Sequence, residues 1–268
     1  MRRLLSFQCA GETLGASVDE AAGPLGVLMV TGGGQTRIGS HRMYERLAAR
    51  LADHGHPCFR FDRRGVGDSE GNDPGFRACG PDLAAAAHAF RQEGKGLEKV
   101  IGFGLCDGAT ALALFGAAAN LDGLILVNPW FVEAEAGVPP PAAIRKHYRQ
   151  RLTSLDGWKR ALTGSMSYGK LLKGIVKILA PPPSSLASEA ADALGTARLP
   201  VRLILARGDA TAIAAEAEWN AHAFRKVRDA AAPPLRIDSD SHTFARGGDL
   251  EALLQACLAS IETLSGGD

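Results

Sequence analysis

The sequence predicts an α/β fold in which helices cover both faces of a mostly parallel central β-sheet. Two observations lead to this fold class. Strand-like runs such as residues 25–31 and 123–127 are continuously apolar, which is typical of strands that are buried on both faces. These runs alternate with helix-like segments, and that alternation indicates parallel strands joined by crossover helices. Ligands bind at the carboxyl ends of the strands in a sheet of this kind.

The first part of the chain supplies four predicted strands and two predicted helices. The strands are at residues 3–9, 12–18, 25–31 and 57–61, and the helices are at residues 41–53 and 80–92. The first two strands form a hairpin around Ala10 and Gly11. Ser40 is expected to be the N-cap of the first helix, because its side chain can accept a hydrogen bond from a free backbone N–H. Three glycines at 32–34 follow a buried strand, where the backbone can approach a ligand closely.

Residues 99–110 combine an apolar strand, the segment GLCDG at 104–108 and the start of an Ala/Leu-rich helix. This pattern is typical of a nucleophile elbow, in which small residues two positions before and after the nucleophile let strand and helix approach closely. Cys106 occupies the nucleophile position. A thiol at the first turn of a helix faces unpaired N–H groups and the positive end of the helix dipole, which favours the thiolate. The alternative interpretation is a small buried cysteine in a glycine-rich packing turn.

The alternation of strands and helices stops at Trp130 and resumes near residue 200. The later elements are predicted as strands at 123–127, 201–206 and 235–237 and helices at 212–227 and 250–264. Between them, proline triplets at 139–141 and 181–183 flank two predicted helices at 142–155 and 166–179. We therefore predict a core formed by residues 1–129 and 198–268, with a helical cap, or lid, inserted at residues 130–197 over the strand ends.

The composition excludes several classes of protein. With 268 residues, a net charge of +1 and 46% hydrophobic residues, the chain lacks the basic excess of a nucleic-acid-binding protein and the polarity of a disordered one. Its five scattered cysteines include no CxxC pair, so we expect neither disulfides nor a metal site, and we expect no cofactor. A reduced, cytoplasmic setting is expected. We also expect no signal peptide and no membrane span, because no apolar run is long enough.

Three candidate catalytic residues follow separate predicted strands in the order nucleophile, acid, histidine, which is the order found in α/β-hydrolases. They are Cys106, Asp209 and His242. His242 would take the proton of the thiol and later activate water or an acceptor alcohol, and Asp209 would fix the tautomer of the imidazole. Asp238 and Asp240 are rival partners for the histidine, but the short loop that they share with it disfavours them.

The chain resembles the exosortase A system-associated hydrolase 1 family, a bacterial α/β-hydrolase family. The resemblance lies in residues 33–42, 61–69 and 104–108, and its most specific parts are GSHR at 39–42 and GLCDG. The chain departs from the family at Gly34 and Arg63, where the family usually has a proline and an aromatic residue. The resemblance implies a cysteine-nucleophile acyl hydrolase or transferase, encoded beside exopolysaccharide and protein-sorting genes.

An acyl-transfer site also needs an oxyanion hole. The α/β-hydrolase fold forms it from the N–H after the nucleophile and an N–H of the glycine loop, which predicts Asp107 with Gly33 or Gly34. Arg37 and His41 border the glycine loop and are candidates for substrate binding. For His41, a residue in the first turn of a helix capped by Ser40 is the favoured alternative.

The predicted cap carries a local excess of positive charge. Nine basic residues face a single acid, Asp156, between residues 142 and 180. Lys170, Lys173 and Lys177 follow a helical spacing among apolar residues, which predicts a basic amphipathic helix. Such a helix is a candidate site for an anionic lipid surface, the phosphates of coenzyme A or an acyl carrier protein. A solubilising face on the cap is the equally weighted alternative.

Three functions are compatible with these residues. The first is an esterase or thioesterase that forms an acyl-enzyme on Cys106. The second is an acyltransferase that passes the acyl group to a sugar or another acceptor. The third is a non-catalytic binding module, because a fold does not guarantee an activity. The intact order of the three candidate residues favours an enzyme, and the thiol together with the basic cap slightly favours thioesters. We expect a bacterial, cytoplasmic protein, with the basic cap as a candidate contact to the inner membrane.

Overall fold

The structure is a computed structural model that describes residues 1–94, 96–132 and 185–266. The cap helices predicted at 142–155 and 166–179 lie outside the described residues, as do Lys170, Lys173 and Lys177. The predicted division into a core and a cap at residues 130–197 therefore stays a prediction.

The described residues form one eight-stranded sheet. Its strands are β1 (Arg2–Cys9), β2 (Glu12–Asp19), β3 (Leu25–Val30), β4 (Cys58–Phe61), β5 (Lys99–Leu105), β6 (Gly123–Val127), β7 (Val201–Ala206) and β8 (Leu235–Ile237). The spatial order is β1-β2-β4-β3-β5-β6-β7-β8. The pairs β1–β2 and β2–β4 are antiparallel, and all other neighbours are parallel. The predicted fold class, a mostly parallel sheet flanked by helices, is confirmed.

Seven α-helices surround the sheet in the described ranges. They are α1 (Met43–Asp53), α2 (Gly80–Glu93), α3 (Asp107–Phe115), α4 (Ser185–Ala197), α5 (Ala210–Trp219), α6 (Arg225–Ala230) and α7 (Asp249–Ser265). Successive side chains of a strand point to opposite faces, so β3 contributes Leu28 and Val30 to one core and Val27 and Met29 to the other. The first core lies under α2 and α3 and the second under α1 and α7. Both faces are covered, as the continuously apolar strands predicted.

The start of the first helix differs from the sequence prediction. Ser40–Arg42 form a 3₁₀ turn, and α1 begins at Met43 without a side-chain cap. The expectation that Ser40 is an N-cap is wrong, because the chain passes through the left-handed region at His41 (φ 42°) and Arg42 (φ 64°) before the helix starts. The backbone N–H of Ser40 instead donates to Gln35 Oε1, at 3.1 Å.

The helix predicted at 212–227 is two helices. α5 ends at Trp219, a 3₁₀ turn spans His222–Phe224, and α6 follows. The break lets the rings of Trp219 and Phe224 stack in the core with centroids 5.5 Å apart. Arg228 satisfies a carbonyl that the break leaves free, since its Nη1 donates to Trp219 O at 2.7 Å. Burial of the two rings therefore overrides a local pattern that favours one continuous helix.

Helix α4 is the last part of the segment predicted as a cap, but it packs on the core. Ala187 and Ala190 are fully buried, and they belong to the same apolar cluster as Ala109 and Leu112 of α3. Among the described residues, no helix combines the length and the apolar character needed to cross a bilayer.

Candidate active site

Cys106 stands in a strained turn between β5 and α3. Its backbone has φ 59° and ψ −127°, which is unusual for a residue other than glycine. A Cβ on Gly104 would lie 2.7 Å from Ala109 N, and one on Gly108 would lie 2.4 Å from Val30 O. Both positions therefore require glycine, and the turn has the geometry that the sequence pattern predicts for a nucleophile elbow.

The thiol of Cys106 is distinct from the other four thiols of the chain. Cys106 is partly exposed, whereas Cys9, Cys58, Cys79 and Cys257 are buried. Burial raises the pKa of Cys9 and of Cys79 to about 11, so both remain protonated at neutral pH. The accessible thiol is therefore the one at the elbow.

The structure brings Cys106, His242 and Asp209 together. His242 Nδ1 lies 2.9 Å from Asp209 Oδ2, and the imidazole is near enough to the Cys106 side chain for the thiol to raise its pKa. Asp209 caps α5, because the same Oδ2 accepts from Ala212 N at 2.9 Å. Asp209 is buried, so its carboxylate is held in one position by the helix that it caps.

The neighbours of His242 change its protonation. The hydrogen bond to Asp209 and, next, the nearby thiol of Cys106 raise the pKa of His242 to about 10 from its usual 6.5. The imidazolium is therefore the favoured form at neutral pH. This form can stabilise a neighbouring thiolate and carries a proton for a leaving group.

The rival acids do not reach the histidine. Asp238 and Asp240 are both exposed, and Asp240 Oδ1 forms an ion pair with Arg246 Nη1 at 3.0 Å. The short loop keeps both side chains on its solvent side, as its length indicated.

Sequence reasoning missed Asn128, which supports the histidine loop. Asn128 is fully buried just after β6; its Nδ2 donates to His242 O at 3.2 Å, and its Oδ1 accepts from Ala206 N at 2.8 Å. The side chain thus joins the ends of β6 and β7 to the backbone of the histidine. The sequence did offer a signal for Asn128, because it is a polar residue just after a predicted buried strand. The same kind of position identified Asp209 as a candidate.

His41 also contacts the histidine loop. Its Nε2 lies 2.9 Å from Thr243 O, which makes that nitrogen the donor. The interpretation as a residue in the first turn of a helix is wrong, because His41 precedes α1 and its left-handed backbone turns the side chain toward the loop. The structure therefore places His41 at the rim of the candidate site.

Arg37 is engaged away from the thiol. Its guanidinium pairs with the buried carboxylate of Asp62 and with Asp68, and its Nε donates to Ser17 Oγ at 3.0 Å. The side chain thus ties the glycine loop to β2 and to the turn after β4, and its donors are already used.

One predicted oxyanion donor is occupied. Gly33 N donates to Asp107 Oδ1 at 2.6 Å, so the prediction for Gly33 is corrected: its N–H already binds a carboxylate of the same chain. Burial raises the pKa of Asp107. In the described part of the chain, the N–H groups of Asp107 and Gly34 make no hydrogen bond to another residue. These two remain as candidate donors to an oxyanion.

A buried tyrosine lies beneath the elbow and was also missed. Tyr44 is fully buried; its hydroxyl donates to Val30 O at 2.9 Å and accepts from Leu105 N at 3.0 Å. These two backbone groups are at the ends of β3 and β5, directly before the glycine loop and the nucleophile. The pattern of apolar and polar residues gives no sign of this hydrogen-bond pair.

No cluster of His, Cys, Asp or Glu side chains suited to a metal ion occurs within residues 1–94, 96–132 and 185–266. The candidate site offers a thiol, an imidazole, a carboxylate and two N–H groups. Such a set can support nucleophilic acyl transfer.

Comparison with known proteins supports this assignment of the fold. Residues 26–223, about three quarters of the chain, match the family model Hydrolase_4, described as serine aminopeptidase, S33. No curated protein matches the chain.

Several solved structures share the fold at low sequence identity. An esterase of Pyrococcus furiosus is 13% identical, with a TM-score of 0.66 over 99% of this chain and 91% of the esterase. Est1E of Butyrivibrio proteoclasticus, solved with ferulic acid, is 17% identical, with a TM-score of 0.62 over 96% of this chain and 99% of Est1E. A malate-bound esterase of Thermogutta terrifontis is 19% identical, with a TM-score of 0.57 over 98% and 99%.

Proposed function

The chain belongs to the Hydrolase_4 (serine aminopeptidase, S33) family, and we propose that it hydrolyses ester or thioester bonds through an acyl-enzyme on Cys106. The observation that carries this proposal is the arrangement of a partly exposed thiol in a strained elbow beside a histidine held by Asp209. The esterases among its structural neighbours are consistent with an ester substrate.

In the proposed first step, the thiolate of Cys106 attacks the acyl carbon, and the N–H groups of Asp107 and Gly34 stabilise the resulting oxyanion. The intermediate collapses when the C–O or C–S bond to the leaving group breaks, and the imidazolium of His242 gives that group its proton. The products of this step are a thioester on Cys106 and a free alcohol or thiol.

In the second step, the now neutral imidazole takes a proton from water as the water oxygen attacks the thioester. The C–S bond to Cys106 then breaks, which releases a carboxylic acid and restores the thiolate–imidazolium pair. Asp209 holds the Nδ1–H of His242 through both steps, so Nε2 is the nitrogen that exchanges protons.

The test is intact-protein mass spectrometry after incubation with p-nitrophenyl acetate and acetyl-CoA, followed by peptide mapping. We expect an acetyl adduct on Cys106 that hydroxylamine removes, and no turnover by Cys106→Ala. The matched control is Cys257→Ala, since that thiol is fully buried in α7 and should be dispensable. Full turnover by Cys106→Ala, or an adduct on another residue, would contradict the proposal.

The proposal extends to substrates carried by an anionic group, and to a cytoplasmic bacterial setting in exopolysaccharide-related metabolism. Its support is the run of cations at 142–180 and the family resemblance. Replacing Lys170, Lys173 and Lys177 by glutamine should raise KM for acyl-CoA or acyl carrier protein, or weaken binding to anionic vesicles, because it removes the positive charges that attract them. Added salt should weaken the same attraction in the wild type, because it screens exposed charges over about 10 Å at 0.1 M. Hydrolysis of a small neutral ester is the control. Equal losses on charged and neutral substrates would show that the lysines only stabilise the cap.

A further inference from the structure

A cavity of about 680 Å³ lies at the end of the sheet opposite the candidate active site. It is bounded by the end of α4, the segment that leads into β7, helix α6 and the last turn of α7. Cys106, Asp209 and His242 follow the carboxyl ends of strands, whereas this cavity adjoins the amino end of β7. The six residues of β7 separate the two ends by roughly 16 Å, at about 3.3 Å per residue. The cavity is therefore separate from the triad.

Arg202, on the face of β7 that is covered by α7, is the unusual residue in the lining of this cavity. It is the second residue of β7 and is only 6% exposed. Its Nε is buried without a hydrogen-bond partner, and no carboxylate in the described ranges forms an ion pair with it. Burial lowers the pKa of Arg202, which is the direction expected for a cation that lacks a counter-ion. Buried arginines are normally paired, because a charge removed from water is otherwise unfavourable.

The other lining residues supply more positive charge and an apolar wall. Arg198 and Lys226 are also cationic, and no acidic side chain lines the cavity among the described residues. Leu194, Leu199, Val227 and Leu264 form apolar parts of the wall. Small-molecule sites typically have volumes of about 300–1,000 Å³, mostly apolar walls and a few polar groups that fix the orientation of the ligand. This cavity has each of these properties.

We propose that this cavity is a second binding site, for an amphiphile with an anionic head group on a hydrocarbon chain. Arg202 binds the head group, because a guanidinium forms paired hydrogen bonds with a carboxylate or a phosphate. The chain lies against the apolar wall. This site is independent of the acyl-transfer chemistry proposed for Cys106, so either proposal can fail without the other.

Thermal unfolding and titration calorimetry of the full chain test the site with decanoate and decyl phosphate below their micellar concentrations and with decanol below its solubility limit. A ligand that binds the native state raises Tm. We expect decanoate, decyl phosphate or both to raise Tm, with decanol ineffective because it lacks a charge. The comparison of decanoate with decyl phosphate identifies the head group.

Two variants locate the binding. Arg202→Met keeps the length of the side chain and removes its charge, so affinity for the anionic probe should fall at least about tenfold, the loss expected with a charge-assisted hydrogen bond. Gly195→Leu fills the cavity from α4, where an added Cβ would meet only Val227 Cγ2 at 3.9 Å. Gly195→Leu leaves the charge of Arg202 intact, and it tests the proposal by itself if Arg202→Met does not fold. Arg46→Met, at an exposed arginine of α1, is the matched control and should bind like the wild type.

Three results would overturn the proposal. The first is no response of the wild type to either anion, and the second is an equal response to decanol. The third is a response that both cavity variants retain, because a probe bound in the candidate active site or on the surface would not depend on Arg202 or Gly195.

Discussion

Asp209→Asn removes the charge of the acid while it preserves much of the local structure. In the protein, one oxygen of Asp209 accepts from both Ala212 N and His242 Nδ1. An asparagine can place its amide oxygen at the same point, where the N–H of the helix holds it, and asparagine is a good N-cap. The hydrogen bond from Ala212 N therefore favours the orientation in which the amide oxygen, rather than the amide NH₂, faces His242, and this keeps the proton on Nδ1. We expect the variant to fold and to lose mainly the electrostatic support of the imidazolium.

The size of this loss follows from the protonation of His242. The rise of its pKa from 6.5 to about 10 corresponds to on the order of 5 kcal/mol in favour of the imidazolium, at about 1.4 kcal/mol per tenfold change. Asp209 is the largest cause and Cys106 the next, and 33% of the histidine side chain is exposed, where solvent screens the charge. About 2–3 kcal/mol is thus a reasonable share for Asp209, equivalent to a roughly 30- to 150-fold loss of activity.

The assay is hydrolysis of a p-nitrophenyl ester by the wild type, Asp209→Asn and Asp240→Asn, with circular dichroism to verify folding. Asp240→Asn is the matched control, because its carboxylate is exposed and pairs with Arg246. Its activity should stay within about fivefold of the wild type, as expected for an exposed ion pair worth up to about 1 kcal/mol. The reasoning is refuted if Asp209→Asn is nearly as active as the wild type while Asp240→Asn or Asp238→Asn is inactive. A loss above about 10⁴-fold would show instead that the asparagine holds the wrong tautomer.

Three further predictions follow from the same contacts. Pulsed alkylation of the native protein should label Cys106 faster than the other four thiols, which are buried, and equal labelling rates would contradict its assignment as the nucleophile. Because the pKa of His242 is raised, its contribution to the free energy of unfolding should be complete below about pH 6.5 and lost as the pH rises through about 10. Urea unfolding of the wild type at a series of pH values should show this loss. The Asp209→Asn variant should show a smaller one. Tyr44→Phe should lower the free energy of urea unfolding by about 2–4 kcal/mol, because it leaves two buried backbone groups unpaired, and a loss below about 1 kcal/mol would refute this role.

The strands and the proximity of Cys106, Asp209 and His242 could be predicted because they depend on local patterns. β6, β7 and β8 have the predicted bounds, since each is rich in apolar residues and is followed directly by a polar one. Cys106 and Asp209 follow such runs directly, and parallel topology alone brings the ends of those runs to one edge. Chain order together with strand ends was thus enough to place the three candidate residues near one another.

The rest of the site depends on contacts between distant segments. Neither His41 nor Arg42 is a glycine, so no local backbone preference predicts the left-handed turn that they form. Asp107 reaches back to Gly33 across 74 positions, and Asn128 reaches forward to His242 across 114. These partners meet because of the way in which the strand ends pack together. A pattern of apolar and polar residues does not specify that packing.

The backbone carbonyl of Cys106 accepts a hydrogen bond from the segment where the chain leaves the sheet after β6. Trp130 N donates to Cys106 O at 3.2 Å, and Thr110 Oγ1 donates to Trp130 O at 2.7 Å. On the returning side, α4 packs against α3, the helix that starts at the nucleophile. Both attachment points of the intervening segment are therefore fixed to the elbow itself.

This anchoring makes the segment between Trp130 and α4 exchangeable in principle. We expect that this segment can be lengthened, shortened or replaced without a change at Cys106, because the contacts of Trp130 and α4 determine where a replacement begins and ends. A chimaera that joins a foreign insertion at these two points should keep the elbow and acquire a different substrate range.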